Sequence, residues 1–182
     1  MQADIAVACR AAGRDPRDVT LTAVTKTQPP EAIDAALATG QRVFGENRVQ
    51  EAMARWTDRR PLHADLHLRL IGPLQTNKVR EALALFDVIE TLDRSKLARA
   101  LATAGQAMGV APRVLVQVNT GAEVQKAGVA VAEAPALIEQ ARTLGLTVEG
   151  LMCIPPAEED PAPHFALLAR MAANHGLGTL SM

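Results

Sequence analysis

Aromatic side chains are almost missing from this sequence. Its 182 residues include one Trp (Trp56), three Phe (Phe44, Phe86 and Phe165) and no Tyr. Aliphatic side chains and alanine must then build the core, and no tyrosine is present to act as an acid or base. Cysteine is scarce too. Cys9 and Cys153 stand far apart in no motif, which fits reduced thiols in a cytoplasmic protein. Neither sign of charge is in excess: a formal net charge of −1 argues against general affinity for nucleic acid or anionic membranes. The basic pair Lys78 and Arg80 reads as a solvated helix face. No apolar run approaches the roughly 20 residues of a membrane span. The start, Met1-Gln2-Ala3-Asp4, has no basic stretch, and the apolar run behind it covers only residues 5–9, so no signal peptide is expected. The chain reads as soluble and cytoplasmic.

What is present is a strand–helix rhythm over the whole length, enough for a single domain spanning residues 1–182. After an N-terminal helix ending near Gly13, strand-like runs fall at 21–26, 42–45, 66–72, 88–92, 113–119 and 148–154. Helical patterns lie between and after them, at 31–38, 49–56, 78–85, 95–108, 134–143 and 162–174. Gly40, Gly109 and Gly145 stand where C-terminal cap glycines belong, and Asn47 and Asp93 where N-caps would. Val114-Leu115-Val116-Gln117-Val118 is apolar on both faces, which predicts a parallel sheet covered by helices. An open doubly wound sheet or a (β/α)₈ barrel would fit.

No G-x-G-x-x-G follows any expected strand, so a dinucleotide fingerprint is lacking. Polar residues gather instead at the C-terminal ends of strands: Lys26, Glu46 with Asn47, Asn119, and Cys153 beside Met152. In barrels that rim carries the chemistry, so the (β/α)₈ barrel is the favoured fold. A barrel usually takes about 250 residues. This sequence reaches only the start of a seventh strand, Thr179-Leu180-Ser181-Met182, so a fragment, or closure by a second chain, is expected.

Lys26 closes the apolar run Leu21-Thr22-Ala23-Val24-Thr25. An amine at the rim of a core is expected to be partly desolvated, hence neutral part of the time and able to condense with an aldehyde. A solvated strand-end lysine is the plain alternative. Metal chemistry has little support. His63 and His67 fall in a strand-like stretch, where residues four apart are separated by roughly 13 Å.

Six segments in order then carry a resemblance. They are Ala23-Val24-Thr25-Lys26-Thr27; Phe44-Gly45-Glu46-Asn47 with Val49-Gln50-Glu51; and Ile71-Gly72-Pro73-Leu74-Gln75-Thr76-Asn77-Lys78-Val79. Val116-Gln117-Val118-Asn119 with Gln125-Lys126-Ala127-Gly128, Gly150-Leu151-Met152-Cys153-Ile154-Pro155, and Leu180-Ser181-Met182 complete the set. Together they resemble the pyridoxal phosphate homeostasis protein family, single-domain relatives of the N-terminal barrel of alanine racemase. The resemblance implies a fold-type-III barrel that binds pyridoxal 5′-phosphate (PLP), with Lys26 forming the internal aldimine. It implies a polar contact near the cofactor ring from Asn47, with a helix N-cap as the plain alternative. Met152 would be a wall of the ring pocket, or plain core filler. Ser181 and Met182 would open the phosphate-binding segment. Lys126 is a candidate second amine near the mouth. Gln28, Arg48 and Arg69 depart from the family pattern, which often has Lys, Tyr and His at those positions.

The function implied is intracellular PLP homeostasis without robust turnover, with PLP-dependent apo-enzymes as recipients and a monomer or weak oligomer as the working form. A PLP-dependent racemase of the lysine–tyrosine type needs a tyrosine that this sequence lacks. A Schiff-base aldolase would need an acid–base relay, for which Glu46 is the one obvious candidate.

Overall fold

The computed structural model describes residues 1–123 and 125–182. In chain order the elements are α1 (Gln2–Ala11), β1 (Ala23–Val24), α2 (Pro30–Ala38), β2 (Val43–Glu46), α3 (Val49–Trp56), β3 (His67–Leu70), α4 (Val79–Leu85) and β4 (Val88–Leu92). There follow α5 (Ser95–Met108), β5 (Arg113–Asn119), β6 (Val129–Ala130), α6 (Ala134–Thr143), β7 (Thr147–Met152), α7 (Pro161–Asn174) and β8 (Thr179–Ser181). Local chemistry sets their ends. Pro30 and Pro161 start helices where a missing N–H costs nothing, and the Asp160 carboxylate accepts from the Ala162 amide at 3.0 Å. Gly109 ends α5 in the left-handed region at φ 69°.

Two expectations about ends need correcting. Arg48 and Arg94, not Asn47 and Asp93, hold the N-cap positions, and neither caps through its side chain. The first strand is Ala23–Val24, shorter than the run 21–26. It has a single strand neighbour, β2, so little fixes its ends. The Thr25 amide still reaches the Gly45 carbonyl at 3.2 Å, and beyond it Thr27 turns the chain at φ 62°. The short β6 has no counterpart in the sequence reading: two residues leave no period to detect.

All pairings are parallel, in the order β1-β2-β3-β4-β5-β7-β8, with β6 attached to the end of β5. The path curls. Ser181 on β8 donates to Glu90 on β4 at 2.6 Å, although three strand spacings separate them along the sheet. In a flat sheet that separation is about 14 Å, beyond the combined reach of a serine and a glutamate. Seven sequential parallel strands curled with helices outside form an arc of the expected barrel.

The core has two layers, and aliphatic residues fill both. Leu68, Leu70, Ile89, Leu101 and Ile138 pack between strands and helices, joined by Phe44 and Trp56 with ring centroids 4.7 Å apart. On the inner face Val88, Leu115 and Met152 form a small cluster of their own.

Asp87 ties the start of β4 to β3. Arg60 reaches its two oxygens at 2.6 and 3.1 Å, and the Leu68 amide donates at 2.7 Å. Burial alone would raise this carboxyl, but the guanidinium and the amide outweigh it and hold it below the ordinary range. A depressed carboxyl contributes its full stability above its unfolded value near 3.8 and loses it as pH falls through the lower folded value. Asp87→Asn is expected to cost about 1–2 kcal/mol at neutral pH. Urea midpoints of wild type and variant should converge as the medium is made more acidic than that carboxyl range.

Candidate functional site

The ladder registers decide which side chains share the rim. Val24 pairs with Gly45, Glu46 with Leu70, and Leu70 with Ile89. Carried on to the strand exits, those registers set Lys26, Asn47, Ile71 and Glu90 in one rung. On the far side of the arc Met152 pairs with both Gln117 and Ser181. The C-terminal ends of the strands thus gather the expected residues into two groups, Lys26 with Asn47 and Met152 with Ser181, and add Glu90.

Lys26 is exposed, which matches the plain alternative of a solvated strand-end lysine and not the expected partial desolvation. The reason is its place on an end strand, with protein on one side only. Its neighbour Thr25 is the fixed point. Thr25 is buried, and its hydroxyl donates to Glu46 at 2.6 Å.

Asn47 carries an open valence. Its Oδ1 is buried and accepts no hydrogen bond among the described residues. A buried acceptor without a partner is costly, and at a strand exit it suits an N–H or O–H from a ligand. Gly72 crowds the same spot: a Cβ there would lie 2.2 Å from the Asn47 carbonyl oxygen. Met152 is buried against Val88 and Leu115 on the inner face. Met182 follows β8 and is 54 % exposed.

Glu46 does not face the mouth, and its candidacy as a relay is corrected here. Strand alternation puts it with Phe44 on the helix side, where it is fully buried. Its Oε1 accepts from Thr25 and from Trp56 Nε1 at 2.9 Å, and its Oε2 accepts from Arg55 at 2.9 Å.

Glu90 is the residue that sequence reading missed. Its side chain is 2 % exposed and faces the inside of the arc, taking Arg69 Nη1 at 2.7 Å on one oxygen and the Ser181 hydroxyl on the other. The sign was there: a lone carboxylate inside the apolar run Val88-Ile89-Glu90-Thr91-Leu92.

Lys126 sits in the loop after β5. Its Nζ lies 2.6 Å from Glu123 Oε2 and donates to the Pro155 carbonyl at 3.3 Å, tying that loop to the one after β7. Asn119 closes the base of the loop by donating to the Glu123 carbonyl at 2.8 Å. The Cys153 thiol is pushed up by burial and is fully enclosed, an inert group beneath the rim. Two clefts, of about 430 and 780 Å³, open at the opposite end of the strands. One borders residues 40–43 at the start of β2, the other the ends of α5 and α6. Neither meets the rim.

A model of the alanine racemase N-terminal domain matches residues 1–176. The pyridoxal phosphate homeostasis protein of Pseudomonas aeruginosa is 41 % identical over 187 residues, covering 99 % of this chain and 80 % of its own. The chain belongs to the pyridoxal phosphate homeostasis protein family. The member from Escherichia coli K12 is 38 % identical over 170 residues, covering 92 % of this chain and 73 % of its own. Among solved structures, PipY of Synechococcus elongatus without PLP superposes with a TM-score of 0.83 at 36 % identity, over 100 % of this chain and 88 % of its own. The same protein with PLP bound gives a TM-score of 0.79 at 34 % identity, again over 100 % and 88 %. Alanine racemase of Clostridium difficile shares the fold at 13 % identity, with a TM-score of 0.71 over 90 % of this chain and 45 % of its own.

Proposed function

We propose that this chain binds PLP at the mouth of the arc and serves intracellular PLP homeostasis, holding the cofactor on Lys26 without robust turnover. The observation that carries this is the pairing, at adjacent strand exits, of an exposed primary amine with the unspent buried acceptor of Asn47. PLP brings an aldehyde that condenses with a primary amine and releases water. In this reading Lys26 supplies that amine, Asn47 Oδ1 accepts from a donor on the ring, Met152 supports the ring from below, and Ser181 and Met182 lie on the phosphate side. PipY, a relative crystallised with PLP, supports the cofactor class.

The reading includes PLP-dependent apo-enzymes as acceptors, a monomer or weak oligomer, and a cytoplasmic home. In support of the last, both cysteines are buried and free. The aldolase alternative loses its relay, because Glu46 is committed to the helix layer. The racemase alternative lacks a tyrosine.

The test is borohydride reduction after mixing with a small excess of PLP, followed by peptide mass mapping. A pyridoxyl group confined to the Lys26 peptide, and lost in Lys26→Ala, is the expected result. Label spread over surface lysines, and unchanged in the variant, would refute the assignment.

A further inference from the structure

We infer that Glu90 is a specificity-determining residue of the mouth: it holds the proton of the Ser181 hydroxyl and so withholds that donor from the cofactor's phosphate. The inference rests on the PLP reading above. A serine hydroxyl has one proton to give. Here it goes to Glu90 Oε2 at 2.6 Å, a short bond to a carboxylate, the strong kind. The other oxygen of Glu90 is engaged by Arg69 Nη1 at 2.7 Å, so the carboxylate is occupied on both sides. A phosphate ester needs donors, and the Ser181 hydroxyl on β8 has its proton committed elsewhere. The buried carboxylate behind it adds repulsion. Arg69 keeps a further N–H in reserve, since its Nε is buried and has no partner among the described residues.

The arrangement makes Glu90→Gln an informative variant. It keeps the volume of the side chain but replaces one acceptor with a donor. Arg69 has only donors, so the amide oxygen must turn toward it and the amide nitrogen toward Ser181. Ser181 Oγ then accepts from the amide, and its own proton is free to turn toward the mouth. Removing the carboxylate charge acts in the same direction.

Binding of PLP and of pyridoxal, which has an alcohol in place of the phosphate ester, would be titrated against wild type, Glu90→Gln, Ser181→Ala and the double variant at neutral pH. Glu90→Gln is expected to tighten PLP about tenfold, equivalent to ~1.4 kcal/mol. Ser181→Ala alone should cost PLP well under the tenfold that a working phosphate donor would cost, because that hydroxyl is already engaged. In the double variant most of the gain should vanish, and pyridoxal should shift little in any of the proteins. A tenfold loss from Ser181→Ala alone would overturn the inference, since it would mean the hydroxyl already serves phosphate. That arm uses the native Glu90 and does not depend on how the Gln variant folds. No gain in Glu90→Gln, or a gain that survives Ser181→Ala, would overturn it as well. Failure of wild type to capture PLP on Lys26 would instead refute the cofactor reading beneath it.

Discussion

Glu46→Ala is expected to lose about 3–5 kcal/mol of stability and to take cofactor capture at Lys26 with it. Glu46 is enclosed, and three donors end on it: the Thr25 hydroxyl, the Trp56 indole N–H and Arg55. Alanine leaves the Thr25 hydroxyl and the Trp56 indole N–H without an acceptor, leaves Arg55 with only Glu51 at 3.5 Å, and opens a hole beside Phe44 and Trp56. Leaving a buried indole N–H and a buried hydroxyl unpaired, and a part-buried guanidinium with one long contact, costs more than the bonds contributed. Glu46→Gln is the graded control. Its amide oxygen can still take Thr25 and Trp56, while its NH₂ must face Arg55, so a smaller loss of about 1–3 kcal/mol is expected. Urea unfolding followed by Trp56 fluorescence measures both. Thr25 is the buried residue next to Lys26, so slackness there should slow PLP trapping even in Glu46→Gln protein that remains folded. An alanine variant within 1 kcal/mol of wild type would show that the network contributes almost nothing.

Gly150→Ala should be comparably severe, by a different route. A Cβ at Gly150 would lie 1.8 Å from the Thr179 carbonyl oxygen and 2.6 Å from its carbon. Both atoms are backbone of β8, which no rotamer change can move aside. β8 must slide or detach, and the ladder Gly150–Thr179, Leu151–Leu180, Met152–Ser181 goes with it. The expected loss is at least about 3 kcal/mol. Hydrogen exchange locates it: amides at the end of β7 that bond β8, such as Cys153 to the Ser181 carbonyl at 3.1 Å, should exchange faster while β4 and β5 stay protected. Unchanged protection at Cys153 would show that the two strands accommodate the methyl group.

Much of the fold was legible because helix periodicity and its stop signals agree. α3, α5 and α6 begin and end where the pattern places them, as do β4 and β5. The long internal strands carry enough residues to show a pattern, whereas the end strand β1 keeps two residues and β6 leaves none to read. The site was legible in part. That Lys26 and Asn47 stand at strand exits follows from where apolar runs stop; that Lys26 is exposed depends on its strand having one neighbour, which sequence does not state. Glu46 was misplaced although parity was available, since residues 44 and 46 of one strand share a face. Glu90 was marked locally as a lone carboxylate in an apolar run, but its role was not, because its partners are 21 and 91 positions away and meet it only once the sheet has curled.

That curling makes the Ser181–Glu90 bond a chord drawn across an arc, and a chord fixes a radius. Seven strands joined by ladders can bend through a range of curvatures, but with both ends of the chord engaged only one separation of β4 and β8 remains. The width of the mouth is therefore written in the lengths of two side chains. Shortening one by a methylene, as in Glu90→Asp, would draw β4 and β8 together or cut the chord.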